Sequence, residues 1–157
     1  YGNSNLYIAK MSNPWTIEGE QVMIAEPEYD WEKIGFLVNE GPAVLIRNGK
    51  VFISYSASAT DHNYCMGVLI ADENSDLLNK YSWHKSEKPV LKTNGEETVY
   101  GPGHSCFTVS EDGSKDILVY HARTYKEIVG DPLYDPNRHT FIKELEYDKE
   151  GNILFNK

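Results

Sequence analysis

A glutamate at the entrance to a predicted strand is the first residue whose position suggests chemistry. Glu40 follows the apolar residues 36–38 and stands directly before Gly41-Pro42, where a β-type pattern begins. A carboxyl group held against apolar neighbours keeps its proton to a higher pH, which suits a general acid. The alternative is a loop carboxylate that only accepts hydrogen bonds from backbone N–H groups.

A glycine-rich turn presents a histidine further along the chain. In Gly101-Pro102-Gly103-His104-Ser105, the two glycines allow the backbone to turn tightly before His104. A histidine presented in this way can bind a metal ion or hydrogen-bond a substrate. The other four histidines show no ligand spacing, so the sequence alone does not define a metal site. The alternative is a buried histidine with a structural hydrogen bond.

An arginine follows a proline-containing loop and precedes a predicted strand. Arg138 ends the segment Asp135-Pro136-Asn137-Arg138, which fixes its backbone at the mouth of the strand. A guanidinium group in a fixed position suits recognition of hydroxyl or carboxylate groups. The alternative is a surface ion pair. Aromatic side chains such as Tyr55 could stack on a sugar ring, although packing inside the protein is the commoner role of such residues.

Composition limits the class of partner. The 157 residues carry 24 acidic and 15 basic side chains, a formal net charge of −9. Phosphate binding needs clustered lysine and arginine, so we expect neither a nucleic acid nor an anionic membrane as a partner. The sequence contains no run of about 18 apolar residues, and no membrane span is expected.

The elements that position these side chains are predicted to be strands. Apolar residues recur with a period of two, and we expect strands at 6–11, 43–46, 50–56, 65–70, 105–109, 116–121, 140–147 and 153–155. Asn48-Gly49, Asp112-Gly113 and Gly151 predict three hairpin turns. Only a short helical turn is expected, near residues 31–34. The strands fall into three groups, which indicates an all-β fold made of propeller blades or a sandwich.

Four motifs together resemble glycoside hydrolase family 43, which contains arabinofuranosidases and β-xylosidases. They are Val38-Asn39-Glu40-Gly41-Pro42, Phe52-Ile53-Ser54-Tyr55-Ser56-Ala57-Ser58, Gly101-Pro102-Gly103-His104-Ser105 and Asp135-Pro136-Asn137-Arg138-His139. They occur in the family's order, and the resemblance extends over essentially the whole chain. Within the family, the resemblance is greatest to the exo-acting α-L-arabinofuranosidase branch.

The resemblance implies a five-bladed β-propeller with antiparallel four-stranded blades, of which this chain would form about the last two and a half. Residues 1–25 would end the third blade, residues 40–90 would form the fourth and residues 104–155 the fifth. Inverting hydrolysis is implied, with Glu40 as the general acid. Arg138, Asn39 and Tyr55 are assigned to substrate binding. No cofactor is required, but His104 would lie on the propeller axis, near a possible calcium ion bound through waters.

The chain departs from the family pattern in one respect. The family's base and a second, pKa-tuning aspartate lie upstream of the matched part, so we expect another segment, as a separate chain or a symmetry mate, to supply them. The expected function is removal of arabinofuranosyl or xylosyl residues from plant polysaccharide, and an arabinose- or xylose-containing oligosaccharide is the expected ligand. The alternative is a non-catalytic carbohydrate-binding or interaction module. A secreted or periplasmic location is favoured over a cytoplasmic one.

Overall fold

Strands dominate the computed structural model, which describes residues 3–155. Single turns of 3-10 helix occur at Asp30–Glu32, Lys80–Ser82 and Pro132–Tyr134. Within residues 3–155, no helix is long and apolar enough to cross a membrane. The nine strands of this part are β1 (Leu6–Asn13), β2 (Thr16–Ala25), β3 (Asn39–Arg47), β4 (Lys50–Ala57), β5 (Cys65–Asp72), β6 (His84–Lys85), β7 (Tyr100–Val109), β8 (Asp116–Arg123) and β9 (His139–Glu144).

The strands form three antiparallel sheets that follow one another along the chain. The first sheet pairs β1 with β2, the second has the order β3-β4-β5-β6, and the third has the order β7-β8-β9. Within each sheet, strands that follow one another in sequence pair with one another, so each sheet is a meander. Tight turns join β3 to β4 and β7 to β8, whereas longer loops over residues 73–83 and 124–138 lead to β6 and β9. This arrangement agrees with the all-β prediction.

Two of the three predicted hairpins are confirmed. Asn48 and Gly49 both take positive φ, 56° and 76°, and they join β3 to β4 as an Asn-Gly turn should. The turn containing Gly113 joins β7 to β8. The third hairpin is wrong as a pair of strands. The turn at Gly151 is present, with the Gly151 N–H donating to the Asp148 carbonyl, but β9 ends at Glu144 and the two flanks of the turn are joined only by the isolated bridge between Tyr147 and Ile153.

The second sheet is buried on both faces, and this determines which side chains can reach a common site. Along β4, Val51, Ile53 and Tyr55 pack toward the first sheet, whereas Phe52 packs with the third sheet. Successive side chains of a strand point to opposite faces. Residues of β3 and β4 therefore divide into two sets, one facing each neighbouring sheet.

Candidate active site

Glu40 lies near the beginning of β3, where its backbone pairs with Ser56 of β4. A β-bulge separates Glu40 from Ala43, and Gly41 takes a positive φ of 57°. Bulges are commonly used to redirect a side chain, and here the motif glycine and proline occupy the bulge itself. The Glu40 carboxylate is half-buried, and its Oε1 accepts a hydrogen bond of 2.7 Å from the Tyr64 hydroxyl.

Tyr64 brings a buried hydroxyl to this carboxylate. Its side chain is 1% exposed, and its backbone N–H donates to the carbonyl of Asp61 in the loop before β5. Burial, followed by the hydrogen bond to Glu40, raises the pKa of Tyr64 well above its ordinary value. The hydroxyl therefore remains protonated at neutral pH, and it donates its hydrogen to the Glu40 carboxylate.

The two glycine-containing motifs make room for this contact. A Cβ on Gly103 would lie 2.3 Å from the Tyr64 ring, and a Cβ on Gly101 would lie 2.3 Å from the Asp61 carbonyl oxygen. A Cβ on Gly41 would lie 3.0 Å from Nδ1 of His104. Glycine is thus required because the loop before β5, with the Asp61 carbonyl and the Tyr64 ring, and the His104 side chain approach the backbone closely. The tight turn predicted before His104 is not present, because residues 100–109 form the strand β7. The strand is instead irregular there, with register shifts on either side of Gly103 and positive φ at Gly101 and His104.

His104 lies beside Glu40 at the junction of the second and third sheets. Its φ is +49°, its side chain is exposed, and its backbone N–H donates to Ser56 Oγ at 2.7 Å. The hydroxyl of Ser56, which faces the third sheet, therefore anchors the histidine to β4. The predicted axial position and ion role of His104 stay predictions.

His121 of β8 completes a stack of three rings. Its ring centroid lies 5.7 Å from that of Tyr64 and 6.5 Å from that of His104. Burial, and then the charges of Arg138, His104 and Arg123, lower the pKa of His121 to about 4. The imidazole is therefore neutral at neutral pH, and its buried Nδ1 has no hydrogen-bond partner.

The sequence analysis did not assign Tyr64, Ser56 or His121 to the site. They come from β4, β8 and a loop, and nothing in their local sequence reveals that their side chains meet. Gly103 lies inside β7, although the predicted strand began only at residue 105. A glycine within a strand indicates that another group approaches the backbone closely, so this signal became usable only once the strand was known.

Arg138 is half-buried and near this ring stack. Its Nη2 donates to the Pro132 carbonyl oxygen at 3.2 Å, and its charge lowers the pKa of His121. The same carbonyl accepts a 2.8 Å hydrogen bond from Arg123, which is only 1% exposed and also donates to the Thr60 carbonyl. The two arginines thereby fix the loop that precedes β9.

Asn39 and Tyr55 lie on the opposite face of the second sheet from Glu40. Tyr55 is fully buried, and Asn39 is 1% exposed. The Tyr55 hydroxyl and the Asn39 amide both donate to Oε1 of Glu32, at 2.8 and 3.0 Å. The structure therefore does not bring these two side chains to the surface that carries Glu40. Successive side chains of a strand point to opposite faces of the sheet. Asn39 and Glu40 of β3 therefore face opposite sides, as do Tyr55 and Ser56 of β4.

Glu32 is the centre of a buried charged network. Its side chain is 0% exposed and its Oε1 lies 2.7 Å from Nζ of Lys85, whose side chain is 10% exposed. Its Oε2 accepts hydrogen bonds from the backbone N–H groups of Glu28 and Tyr29. Burial acts to raise the pKa of Glu32, but the hydrogen bonds from Lys85 and the other donors lower it below the ordinary value.

Removing the cation from this network is expected to destabilise the protein strongly. Lys85→Met leaves the Glu32 charge buried without its partner, and loss of one partner of a buried pair costs about 3–5 kcal/mol. Urea denaturation should show this loss, whereas Lys10→Met, which removes an exposed pair with Glu18, should cost less than about 1 kcal/mol. Equal midpoints for the two variants would contradict the structural importance of the network.

If this chain supplied its own base, Asp61, Asp131 and Asp135 would be the first carboxylates to consider, and all three have local partners. Asp61 accepts from the backbone and side chain of Asn63, Asp131 accepts from the Leu133 N–H, and Asp135 accepts from the Tyr125 hydroxyl. Within residues 3–155, no cluster of three or more His, Cys, Asp or Glu side chains is arranged to hold a metal ion. Calcium prefers six to eight oxygen ligands, so His104 by itself does not form a calcium cage.

The chain is similar in sequence and in structure to known proteins of one family. A model of the glycosyl hydrolases family 43 matches residues 1–153. An extracellular exo-α-(1→5)-L-arabinofuranosidase of Streptomyces avermitilis is 57% identical over 153 residues, which are 98% of this chain and 32% of the relative. α-L-Arabinofuranosidase 43 of Humicola insolens is 56% identical, with the same two coverages.

Solved structures of family 43 enzymes are also similar to this chain. The crystal structure of α-L-arabinofuranosidase from Lactobacillus brevis has 56% identity and a TM-score of 0.95, covering 99% of this chain and 48% of that one. A thermostable family-43 glycoside hydrolase has 32% identity and a TM-score of 0.77, covering 93% and 45%. These neighbours are five-bladed β-propellers, which confirms the predicted fold class. The chain spans about a third of the length of the curated relatives and about half of these solved chains.

Proposed function

Because the chain belongs to glycosyl hydrolases family 43, we propose that it supplies the general acid of a glycosidase that removes arabinofuranosyl units from an arabinose-containing saccharide. The observation that carries the proposal is the half-buried Glu40 carboxylate, held by a buried tyrosine beside the ring stack of Tyr64, His121 and His104. Relatives at 56–57% identity are named arabinofuranosidases, which supports this sugar over xylose.

The chemistry proposed for Glu40 is proton donation to the leaving group. The proton moves from Glu40 to the glycosidic oxygen while the bond between that oxygen and the anomeric carbon breaks. A water molecule attacks the anomeric carbon from the opposite face and gives its proton to a carboxylate base. In an inverting enzyme the two carboxyl groups are about 6.5–9.5 Å apart, which leaves room for the water.

The base is proposed to come from a complementary segment that supplies the remaining blades of the propeller. Among the described residues 3–155, the first sheet has two strands, and it leaves large apolar side chains exposed. Open sheet edges and apolar patches are usually covered by further structure. The exposed apolar side chains of this sheet and of the loop after it are Tyr7, Met11, Trp15, Ile17, Ile34, Phe36 and Leu37.

A test of this function uses the assembled enzyme, meaning this chain together with the complementary segment. Incubation with a (1→5)-linked arabino-oligosaccharide should release arabinose, and NMR of the first product should show an inverted anomeric configuration. Hydrolysis with retention would contradict the proposed roles, and no hydrolysis of arabinofuranosides would contradict the proposed substrate. The S. avermitilis relative is extracellular, and we extend this to a proposal that the present protein is secreted.

Arg138 is proposed to bind sugar hydroxyl groups in this enzyme. Arg138→Lys should weaken binding of an arabino-oligosaccharide about ten- to hundredfold, because lysine cannot reproduce the two parallel donors of a guanidinium group. Calorimetry in a Glu40→Gln background measures affinity without hydrolysis. Arg47→Lys is the matched control, since Arg47 binds Asp116 away from this loop and should leave affinity unchanged. Equal affinities for both lysine variants would contradict the role of Arg138.

A non-catalytic carbohydrate-binding module is the second candidate. It is favoured by the local hydrogen bonds of Asp61, Asp131 and Asp135, which leave no obvious base among these three. The two candidates differ in one measurement. A binding module should retain an arabino-oligosaccharide without cleaving it even after the complementary segment is added.

A further inference from the structure

Tyr64 donates to one particular oxygen of the Glu40 carboxylate. The hydroxyl lies 2.7 Å from Oε1, and the tyrosine ring is held on one face by the nearly parallel ring of His121, at an interplanar angle of 6°. The backbone of Gly103 lies against the ring, where even a Cβ would approach to 2.3 Å. The position of the hydroxyl is therefore fixed by packing rather than by its bond to Glu40.

We infer that Tyr64 is a positioning residue for the acid, which reserves Oε2 of Glu40 for the proton that is transferred to substrate. The inference rests on the proposed function of Glu40. Because Oε1 already accepts the Tyr64 hydrogen, the proton of a neutral Glu40 is directed to Oε2. When Oε2–H donates to the glycosidic oxygen, the remaining charge on the carboxylate is shared with Oε1, where Tyr64 continues to donate.

The same bond restricts rotation of the carboxyl group. A glutamate has three side-chain torsions, and a half-buried one at a strand entrance can adopt several positions unless a partner holds it. A displacement of about 1 Å at a reacting group can reduce a rate about hundredfold. Tyr64 therefore acts through Glu40, and it needs no contact with the sugar.

The test is the removal of one hydroxyl group. Tyr64→Phe keeps the ring that packs on His121 and Gly103 and removes the hydroxyl, which donates to Glu40 and also interacts with the Ser56 hydroxyl. Tyr147→Phe is the matched control, because the Tyr147 hydroxyl donates to a carboxylate oxygen of Asp116 at 2.6 Å on the outer part of the third sheet. Both variants lose one hydroxyl-to-carboxylate bond, so a general loss of stability should be similar in the two.

In the assembled enzyme, Tyr64→Phe should lower kcat on an arabino-oligosaccharide about ten- to hundredfold with little change in KM. On an aryl arabinofuranoside with an activated leaving group, kcat should fall less than about threefold, since little protonation is required. Tyr147→Phe should change neither value. Equal loss on both substrates, or no loss on the oligosaccharide, would overturn the assignment.

A crystallographic comparison separates this inference from the proposed function. In the unaltered enzyme Glu40 should occupy a single rotamer, and in Tyr64→Phe its carboxyl group should move or occupy more than one position. If the Glu40 side chain of Tyr64→Phe keeps the same single rotamer as in the unaltered enzyme, the positioning role is overturned, whether or not the variant has lost hydrolytic activity. An enzyme without activity on arabinofuranosides would instead contradict the proposed function, while the crystal structures would still decide the role of Tyr64.

Discussion

Glu40→Gln in the assembled enzyme is expected to lower kcat on a (1→5)-linked arabino-oligosaccharide by about 10²–10⁴-fold, the usual contribution of general acid catalysis. Glutamine keeps the shape of the side chain and can still accept the Tyr64 hydrogen bond through its carbonyl oxygen. It has no proton to give to the leaving group. KM should therefore change little, and initial-rate measurements at saturating substrate are the appropriate assay.

The matched control is Glu144→Gln, at the end of β9. Glu144 is exposed and forms an ion pair with Lys115, which also is exposed. This variant changes the net charge by the same amount as Glu40→Gln without touching the site, and its kcat should equal that of the unaltered enzyme. A loss below about tenfold in Glu40→Gln would contradict the assignment of the acid.

Without the complementary segment, the chain is expected to hydrolyse no arabinofuranoside at a detectable rate. An inverting glycosidase needs a second carboxylate to activate water, and removing either member of such a pair leaves the reaction without an essential proton transfer. The exposed apolar side chains of the first sheet also predict association of the isolated chain.

The measurement is an assay of the purified 157-residue chain on an aryl arabinofuranoside and on arabinan, with sedimentation to determine its association state. Addition of the complementary segment should restore hydrolysis and provides the positive control. A stable monomer with full activity would contradict the proposal. Asp61, Asp131 and Asp135 would then be the residues to replace in search of a base.

The sequence was sufficient for most of the strands and for two hairpins, because these depend on local chemistry. Asn48-Gly49 accepts the positive φ values of its turn, and an alternating pattern marks the strands on either side. The strand β2, the short strand β6 and the first residues of β3 and β7 were not predicted. In those segments neighbouring strands decide the structure, and the local pattern of glycine, proline and polar residues does not resemble a strand.

Glu40 and His104 could be selected from the sequence because motif glycines and prolines mark an unusual backbone at both. Tyr64 and His121 could not, since their side chains meet only when the second and third sheets pack together. The assignment of Asn39 and Tyr55 to the same site as Glu40 ignored strand alternation. Their side chains instead bind Glu32 on the opposite face of the second sheet.

The central claim, that Glu40 donates the proton to the leaving group, is tested most directly by comparing leaving groups. In the assembled enzyme, kcat for Glu40→Gln should be measured on aryl arabinofuranosides of decreasing leaving-group pKa and on the arabino-oligosaccharide. The account predicts a large loss on the oligosaccharide that shrinks steadily as the leaving group becomes more acidic, because an acidic phenol departs without protonation. A loss of the same size on every substrate would contradict it.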